Sequence, residues 1–424
     1  MRLATDNHRR LVCRIAFLLS CMLPTILVGY WVLHPTTSSD WEQRIQADLG
    51  LAVKIGRVET PRAGITELHN VQLLDDHEQT VGRVPKISVS RNNGNEVSIS
   101  SGLELTSTSL AMLLQRLQAR LSKSSRQHST WHLKTGDTII AIPDQELSSD
   151  ATIGLSQAEV LINSSDRGSY CLLRFKFSEQ SANQCVEFRL VRDDDVQRAG
   201  DYLIFKTFEN IVPIWMLNGL GTDRFSFGRH AAFQGIVQLE RRFGQWSGNV
   251  KGSVLEVDMS QFNTVIGSNI SGTCRADILN LAIESDRIAQ AELHVTSKEG
   301  ELKPELLKAI GTLPNIEIQE AIDPKSNVHY YDLAIRMRLQ DGSFTLFPAK
   351  ESGLLLEGEH SALLRLDPAK PSQVDLEHLA RTLVEPDSPA GLVDNKIVNF
   401  LANFNLPPIS RSAQETKNSN STRH

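Results

Sequence analysis

The chain is poor in cysteine and in aromatic residues: it has 5 cysteines among 424 residues, and aromatic residues make up 6%. It has no Cys-x-x-Cys pair, and no His and Cys spacing typical of a zinc site. It also lacks the Gly-x-Ser-x-Gly and His-Glu-x-x-His motifs, and Gly219-Leu220-Gly221 lacks the third glycine of a nucleotide-binding loop. We therefore predict no catalytic residue, no metal ligand and no cofactor, and we expect the protein not to be an enzyme.

Positive charge is not in excess, since 44 Lys and Arg stand against 50 Asp and Glu, giving a net charge of -6. A general nucleic-acid-binding protein needs a basic surface, so this balance argues against a nucleic-acid partner. Apolar residues make up 40% and charged residues 22% of the chain, which is typical of a globular protein rather than a disordered one.

One long hydrophobic run lies near the N-terminus. Ile15–Leu33 carries no charge, and its length is close to the ~20 residues that span a bilayer as a helix. A basic segment precedes it, formed by Arg2, Arg9, Arg10 and Arg14. The positive-inside rule then places the N-terminus in the cytoplasm and the bulk of the chain on the other side of the membrane. We expect residues 1–34 to form a basic head and one uncleaved transmembrane anchor.

Two other interpretations of this run stay open. A cleaved signal peptide has a shorter apolar run and a small-residue cleavage site, whereas this run ends in Leu33-His34-Pro35-Thr36. Leu18-Leu19-Ser20-Cys21 is loosely similar to a lipoprotein box, but Met22–Leu33 stays apolar beyond the cysteine. No second run reaches spanning length, so we predict a single-pass protein.

Apolar and polar residues alternate with a period of two over much of the chain, which predicts that strands dominate it. Turn-forming residues separate the first four predicted strands, so we expect hairpins and an antiparallel sheet. The first four are Leu51–Glu59, Ile65–Leu74, Val81–Ser90 and Glu96–Leu105. Each strand then has an apolar face. The candidate groove or core face is formed by Phe233, Val237, Leu239, Leu255, Val257, Leu333, Ile335, Met337 and Leu339.

One clear amphipathic helix is predicted over residues 107–123, with Ser107 or Thr108 as its N-cap. Its apolar stripe is formed by Leu110, Leu113, Leu114, Leu117 and Leu121. We expect this stripe to cover the sheet, with a lid over a groove or a partner-binding face as the alternatives. Shorter helices are predicted at Trp41–Leu49 with Asp40 as its cap, Phe208–Gly221, Pro304–Leu313, Val374–Val384 and Leu392–Asn403. So few helices would leave part of the apolar face uncovered, and such faces bind ligands, lipids or partners.

Cys171 and Cys185 flank a predicted hairpin, where a disulfide could form in an oxidising compartment. The alternation places Cys171 with the apolar face and Cys185 with the polar face, which argues against the bond. The sequence leaves both outcomes open.

The order of elements resembles a known family at two places. Val53-Lys54-Ile55-Gly56-Arg57-Val58 is followed by Leu68-His69-Asn70-Val71-Gln72-Leu73-Leu74-Asp75. This is similar to the start of AsmA-like bacterial envelope proteins, in which a strand with xIGxV leads to one with LxNVxLxD. Lys251–Met259, Ser271–Ala276 and Asp286–Ile288 are similar to the family's C-terminal GxxxxVDL, SGxxxL and DGRI run, with Met259 in the place of the usual leucine.

The resemblance implies a long curved antiparallel β-sheet, shaped as a groove or taco, with a few short covering helices. It also implies a single-pass protein of the bacterial inner membrane, whose bulk lies in the periplasm. In the AsmA-like family the apolar groove is understood to carry or shield lipid, which makes phospholipid acyl chains the candidate ligand and envelope proteins further candidate partners.

Four segments are predicted along the chain: the anchor at 1–34, an N-terminal AsmA-like β region at 35–205, a C-terminal AsmA-like β region at 206–409, and a disordered tail at 410–424. Three functions remain open. The first is a non-catalytic envelope protein whose apolar groove binds lipid for transport or envelope integrity. The second is an anchored scaffold with a closed β core and protein partners. The third is an anchored envelope enzyme, which would need a convergent His/Asp/Ser cluster that the spacing does not indicate.

Overall fold

The computed structural model describes residues 37–379, with gaps at 63, 92–94, 100–101, 107–111, 113–114, 117–128, 143–150, 166–167, 194–199, 218–226, 264–269, 320–322, 324–325, 341, 360 and 376–377. The described residues form one large, mostly antiparallel open sheet with few helices, so the predicted mainly β fold is confirmed. Within them, no helix is long and apolar enough to cross a membrane. The predicted anchor, the predicted helix Leu392–Asn403 and the predicted tail lie outside the described residues.

The elements follow one another in a simple order. The helices are α1 at Ser38–Leu49 and α2 at Pro304–Gly311, and 3-10 turns occur at Ile214–Leu217 and Met259–Phe262. The first strands are β1 (Ala52–Arg62), β2 (Ile65–Leu74), β3 (Thr80–Arg91), β4 (Asn95–Ile99), β5 (Leu103–Thr106), β6 (Ser129–Thr135), β7 (Thr138–Ile142), β8 (Ala151–Ser165), β9 (Gly168–Phe177), β10 (Val186–Asp193), β11 (Gly200–Lys206) and β12 (Val212–Pro213). The others are β13 (Ala232–Arg242), β14 (Gln245–Asp258), β15 (Ile270–Glu284), β16 (Arg287–Leu302), β17 (Ile316–Ile318), β18 (Val328–Tyr330), β19 (Asp332–Gln340), β20 (Ser343–Pro348), β21 (Leu354–Glu357), β22 (Ala362–Leu366) and β23 (Ser372–Asp375).

Helix α1 begins one turn earlier than the sequence pattern predicts. Thr37 is its N-cap and forms a capping box with Asp40, so Asp40 is the third helical residue and not the cap. Gly50 ends the helix in the left-handed conformation that glycine accepts at low cost. The helix buries Trp41, Ile45 and Leu49 and packs against β1, so it covers the first end of the sheet.

The described strands pair mostly in antiparallel fashion, and the two parallel pairs lie close together near the start of the chain. The predicted strand Glu96–Leu105 is two strands, β4 and β5, and each pairs in parallel with a later strand, β6 and β7 respectively. A parallel pair needs a connection of a dozen or more residues, and the chain between the end of β5 and the start of β6 is long enough for one. The predicted all-antiparallel order is therefore wrong at this place.

Three other segments differ from the predicted elements. Val374 lies in the edge strand β23, opposite Phe344, and does not begin a helix. The four residues of β23 alternate between buried and exposed, a pattern too short to distinguish a strand from a helix. The described part of the predicted helix Phe208–Gly221 forms β12 and a 3-10 turn around Pro213, which cannot donate a helical hydrogen bond. The predicted strand Leu354–Leu366 is the hairpin β21–β22.

Bulges and close-packed glycines concentrate in β13 to β16. The pairing of β15 with β16 shifts register at three places, and the pairing of β14 with β15 shifts at two. Gly235 lies opposite Gly252, and a Cβ on Gly235 would come within 2.7 Å of the Gly252 Cα. Bulges and strand glycines bend and twist a sheet, so this part of the sheet has the features that produce curvature.

Candidate functional site

One unbroken row of apolar side chains crosses most of the sheet, perpendicular to the strands. Each member lies directly opposite the next on the neighbouring strand, and paired residues of neighbouring strands point to the same side. This apolar row is formed, in order, by Val89, Leu133, Val160, Leu173, Phe188, Phe205, Val237, Val250, Leu281, Ala291, Leu339, Phe344 and Val374, and the register places the backbone of Val97 between Val89 and Leu133. At a strand spacing of ~4.8 Å, the row extends for roughly 60 Å before twist.

A second row runs beside the first, two residues along each strand except on β16, where a register shift makes the step from Ala291 to Ile288 three residues. Its members are Trp131, Ile162, Cys171, Leu190, Leu203, Leu239, Gly248, Ile283 and Ile288. We call the side of the sheet that carries both rows the apolar face. No charged residue interrupts either row. The first five members of the second row are buried, and so are Val89, Phe188 and Phe205 of the apolar row, whereas Val237, Val250 and Leu281 are half-buried and open to contact with hydrocarbon.

The opposite side of the sheet is polar, particularly from β13 onward. Directly beside the apolar row, its members are Gln238, Asn249, Ala282, Gln290, Gln340 and Ser343. Ion pairs also lie on this polar face. The Arg336 guanidinium donates a 2.9 Å hydrogen bond from Nε to the Glu292 carboxylate, and this bond is the main cause that lowers the pKa of Glu292. The sheet is therefore amphipathic, with solvent on one side and hydrocarbon-like surface on the other.

The structure places most of the nine predicted face residues on the apolar face. Val237 and Leu339 belong to the apolar row, and Leu239 belongs to the second row. Phe233 and Ile335 occupy one further row, which runs through Val254, Ala276 and Val295. Met337 and Leu333 lie opposite Leu293 and Ser297 on β16.

Leu255 and Val257 are separated by a bulge. Leu255 lies opposite Ala232 and therefore on the other side of the sheet from Phe233 and its partner Val254. Glu256 has a φ of 52°, and the register shifts here, so Val257 returns to the apolar side and packs in the core. The alternation alone gave no sign of this bulge, because nothing in the residue types at Leu255 to Val257 breaks the period.

The predicted lid helix falls almost wholly outside the described residues, and so do all five of its leucines. The described residues Met112, Gln115 and Arg116 are helical. Arg116 donates a 3.2 Å hydrogen bond to the Leu74 carbonyl oxygen and pairs with Asp76. The described part of this segment is thus tied to the β2–β3 turn.

Burial of the apolar face differs between its two borders. Towards the 3-10 turn at Met259–Phe262, the face is packed into a core in which Met259, Leu302, Leu307 and Tyr330 are buried. The Tyr330 hydroxyl donates to the Ser271 carbonyl oxygen at 3.1 Å. On β13 to β19, many face residues are only half-buried, namely Val237, Leu239, Val250, Ile278, Leu281, Leu293, Ile335 and Met337.

The half-buried part ends at a border where tight hairpins turn. We call this border the hairpin edge; it carries the β13–β14 and β15–β16 turns and the adjoining ends of β8, β9, β19 and β20. On the apolar side of the sheet, the residues nearest this edge are polar or aromatic: Arg192, Asp201, Arg241 and Trp246 follow one another in register. An apolar surface bordered by arginine and tryptophan suits a molecule with an apolar body and a polar end.

A His and two Glu side chains come together on the β1–β2 hairpin. The ligand atoms of Glu59, Glu67 and His69 lie within 4.8 Å of one another. Protein cations already pair with both carboxylates, since Arg57 lies 2.5 Å from Glu59 and Lys86 lies 2.8 Å from Glu67. The arrangement is that of a surface ion-pair network. Sequence reasoning missed it, because its members are brought together only by the strand register.

The three cysteines among the described residues form no disulfide, and two of them are buried. Cys171, Cys185 and Cys274 are free thiols. Cys185 lies just before β10, whereas Cys171 pairs with Leu190 five residues further along, so the two are too far apart to bond. Burial raises the pKa of the Cys171 thiol to about 12 and that of Cys274 to about 11, which keeps both protonated and non-nucleophilic.

Comparisons of the chain with known protein families, with curated proteins and with solved structures give no match.

Proposed function

We propose that the protein is a non-catalytic, membrane-anchored protein of the bacterial envelope, whose apolar face binds or shields lipid acyl chains. The bulk of the chain lies in the periplasm, and the activity contributes to lipid transport or envelope integrity. The observation that carries this proposal is the unbroken apolar row from Val89 to Val374, with no charged residue along it.

Removal of acyl-chain carbon atoms from water is enough to provide the free energy of such binding. Each CH₂ group removed from water contributes about 0.8 kcal/mol, so a long acyl chain lying on the rows is held without a single specific hydrogen bond. The row is longer than a small closed site needs, and it runs through fourteen neighbouring strand positions with the same chemistry. Movement of a chain across the half-buried part of the row, from Val237 to Val250 and Leu281, exchanges one apolar contact for an equivalent one, which favours transport over fixed binding.

The sequence supports the membrane location. The apolar run Ile15–Leu33 precedes Thr37, and helix α1 begins directly after it and packs onto the first strand. An anchor there joins the membrane to the first end of the sheet. The similarity of Val53–Val58 and Lys251–Met259 to AsmA-like segments favours the same family and the same lipid-binding role.

The proposal is tested by mass spectrometry of lipids that co-purify with the full chain. We expect about one or more phospholipids per chain in the wild type, fewer with Leu239→Asp, and wild-type amounts with Gln238→Asp. Leu239 faces the apolar side and is half-buried, whereas its neighbour Gln238 is exposed on the polar side, so the pair differs chiefly in the face it alters.

A folding check accompanies the comparison, because a buried charge also destabilises the sheet. Leu281→Gln, at another half-buried position of the apolar row, introduces no charge and gives a second measurement. Equal lipid content in the wild type and in both folded apolar-face variants would contradict the proposal.

A scaffold with protein partners is the second candidate, and the packed region near Tyr330 favours it. There the apolar side is closed by Met259, Leu302 and Leu307, as in an ordinary core. A lipid-free, stable wild-type protein would favour the scaffold, and cross-linking in cells would then identify the partner.

A further inference from the structure

The turn of the β13–β14 hairpin carries an aromatic side chain in an unfavourable place. Phe243 is fully exposed, at 103% of its reference area, and its φ is 51°. Tight hairpin turns with positive φ favour Asn, Asp or Gly at this position, and Gly244 beside it has a φ of 83°. A bulky residue with positive φ is an outlier that calls for an explanation outside local stability.

Two residues that flank the turn, Arg241 and Trp246, determine the chemistry of the hairpin tip, by which we mean residues 241–246. Arg241 and Trp246 lie opposite each other just before and after the turn, and the Arg241 guanidinium carbon is 5.9 Å from the centre of the Trp246 ring. Both belong to the hairpin edge and point to the apolar side of the sheet, one step beyond Leu239 and Gly248. The tip is thus continuous with the half-buried part of the apolar face.

The charges at the tip are compensated within the protein. Arg242 pairs with Glu240, and this hydrogen bond is the main cause that raises the pKa of Arg242. Arg241 lies 3.9 Å from Asp201, and the Asp286 carboxylate accepts a 2.9 Å hydrogen bond from the Trp246 backbone nitrogen. A tip with balanced charge and an exposed ring is suited to apolar insertion and not to attraction by a charged surface.

We infer that residues 241–246 dock on the surface of a phospholipid bilayer, with Phe243 inserted at the boundary between headgroups and acyl chains. Trp246 and Arg241 then lie at headgroup level, the position that tryptophan and arginine favour in membrane interfaces. Acyl chains would pass over the hairpin edge onto the apolar face. This inference rests on the proposed function, since it names the place where lipid enters the same surface.

The docking is tested on the full chain in vesicles of phosphatidylethanolamine and phosphatidylglycerol. A photoreactive benzoylphenylalanine in place of Phe243 should cross-link to phospholipid, and the same group in place of Gln238, exposed on the polar face, should not. The cross-linking yield should change little between low and high salt, because the tip charges are balanced. Cross-links to protein alone, or equal lipid cross-linking from both positions, would overturn the inference.

A second variant separates docking from folding. Phe243→Gly removes the ring and relieves the positive φ, so the thermal stability should stay equal or rise. Transfer of a fluorescent phospholipid to acceptor vesicles should fall roughly tenfold, because one buried aromatic contact with the bilayer is lost. Lower stability, or an unchanged transfer rate, would contradict a docking role for Phe243.

The two proposals fail in different ways. If Phe243→Gly keeps both its co-purified lipid and the wild-type transfer rate, the docking tip is wrong and the acyl-binding face stands. If the wild-type chain co-purifies with no lipid and transfers none, the acyl-binding face is wrong, and lipid entry at the tip is overturned with it.

Discussion

The rings of Phe205 and Phe233 stack with their centroids 6.1 Å apart and an angle of 27° between their planes. The two residues are on neighbouring strands, β11 and β13, but they are not register partners, since Phe205 pairs with Val237. Phe188 on β10 continues the contact, 6.5 Å from the Phe205 ring. Three rings from three strands thus pack across the middle of the apolar face.

Phe205→Ala should therefore destabilise the protein strongly. The side chain is 4% exposed, and replacing a buried phenylalanine by alanine costs about 3–5 kcal/mol through lost transfer energy and the remaining cavity. Denaturant unfolding of the full chain measures the change. Ile236→Ala on β13 is the control, since Ile236 is 43% exposed and should cost less than about 1 kcal/mol. Similar losses at both positions would show that the aromatic cluster does not hold the sheet together.

Local alternation predicted the apolar face where strands are regular and failed where they are not. Leu333, Ile335, Met337 and Leu339 fall on one side because β19 pairs with β16 without a register shift. Leu255 falls on the other side because the backbone bulges at Glu256, and the residue types around it show no break in the period.

Features that depend on pairing between distant parts of the chain could not be predicted from local sequence patterns. The parallel pairing of β4 with β6 is set by a long crossover, which local turn residues do not reveal. The apolar row itself is a product of register across strands that are far apart in sequence, such as β3 with Val89 and β23 with Val374. Sequence patterns predict which residues of a strand share a face, but they do not predict which strands are neighbours or which residues lie opposite one another.

A methyl group at Gly248 should disrupt the pairing of β13 with β14, because the backbone of β13 lies very close to Gly248. Its φ is 151°, and an added Cβ would lie 2.0 Å from the Gln238 carbonyl oxygen and 2.9 Å from the Leu239 Cα. Gly248→Ala should lower the unfolding free energy by about 1–3 kcal/mol, since the backbone of β13 must move. Gly136→Ala is the matched control because nothing lies within 4 Å of an added Cβ there. Equal unfolding midpoints for the two variants would exclude this close contact.

The cysteines should differ in their reaction with an alkylating reagent. In the native protein at pH 8, Cys185 should react first because it is half-buried and lies just before β10, whereas Cys171 and Cys274 are buried. Burial raises the pKa of Cys171 to about 12, so very little thiolate forms until the sheet opens. Peptide mass spectrometry after iodoacetamide treatment measures the order. A peptide pair joined through Cys171 and Cys185 would contradict both the free thiols and the β9–β10 register.

The Arg336 and Glu292 pair on the polar face should contribute to stability only above acidic pH. The hydrogen bond from Arg336 is the main cause that lowers the pKa of Glu292 in the folded protein below its ordinary value of 4.5, and Arg338 assists. A carboxyl with a lowered folded pKa stabilises the fold above the unfolded pKa and loses this effect as pH falls through the folded pKa. Both arginines are about half exposed, so the contribution should stay below about 1 kcal/mol.

Glu292→Gln tests this contribution by unfolding at a series of pH values. The variant should be less stable than the wild type by a constant amount between pH 6 and 8, and the difference should shrink as pH falls below the unfolded pKa of about 4.5. High salt should also reduce it, because a solvent-exposed pair is screened. Glu299→Gln, on the same strand with an exposed side chain, is the matched control for the substitution itself. A difference for Glu292→Gln that persists unchanged into strong acid would mean that the packing of the side chain, and not its charge, supports the sheet at this place.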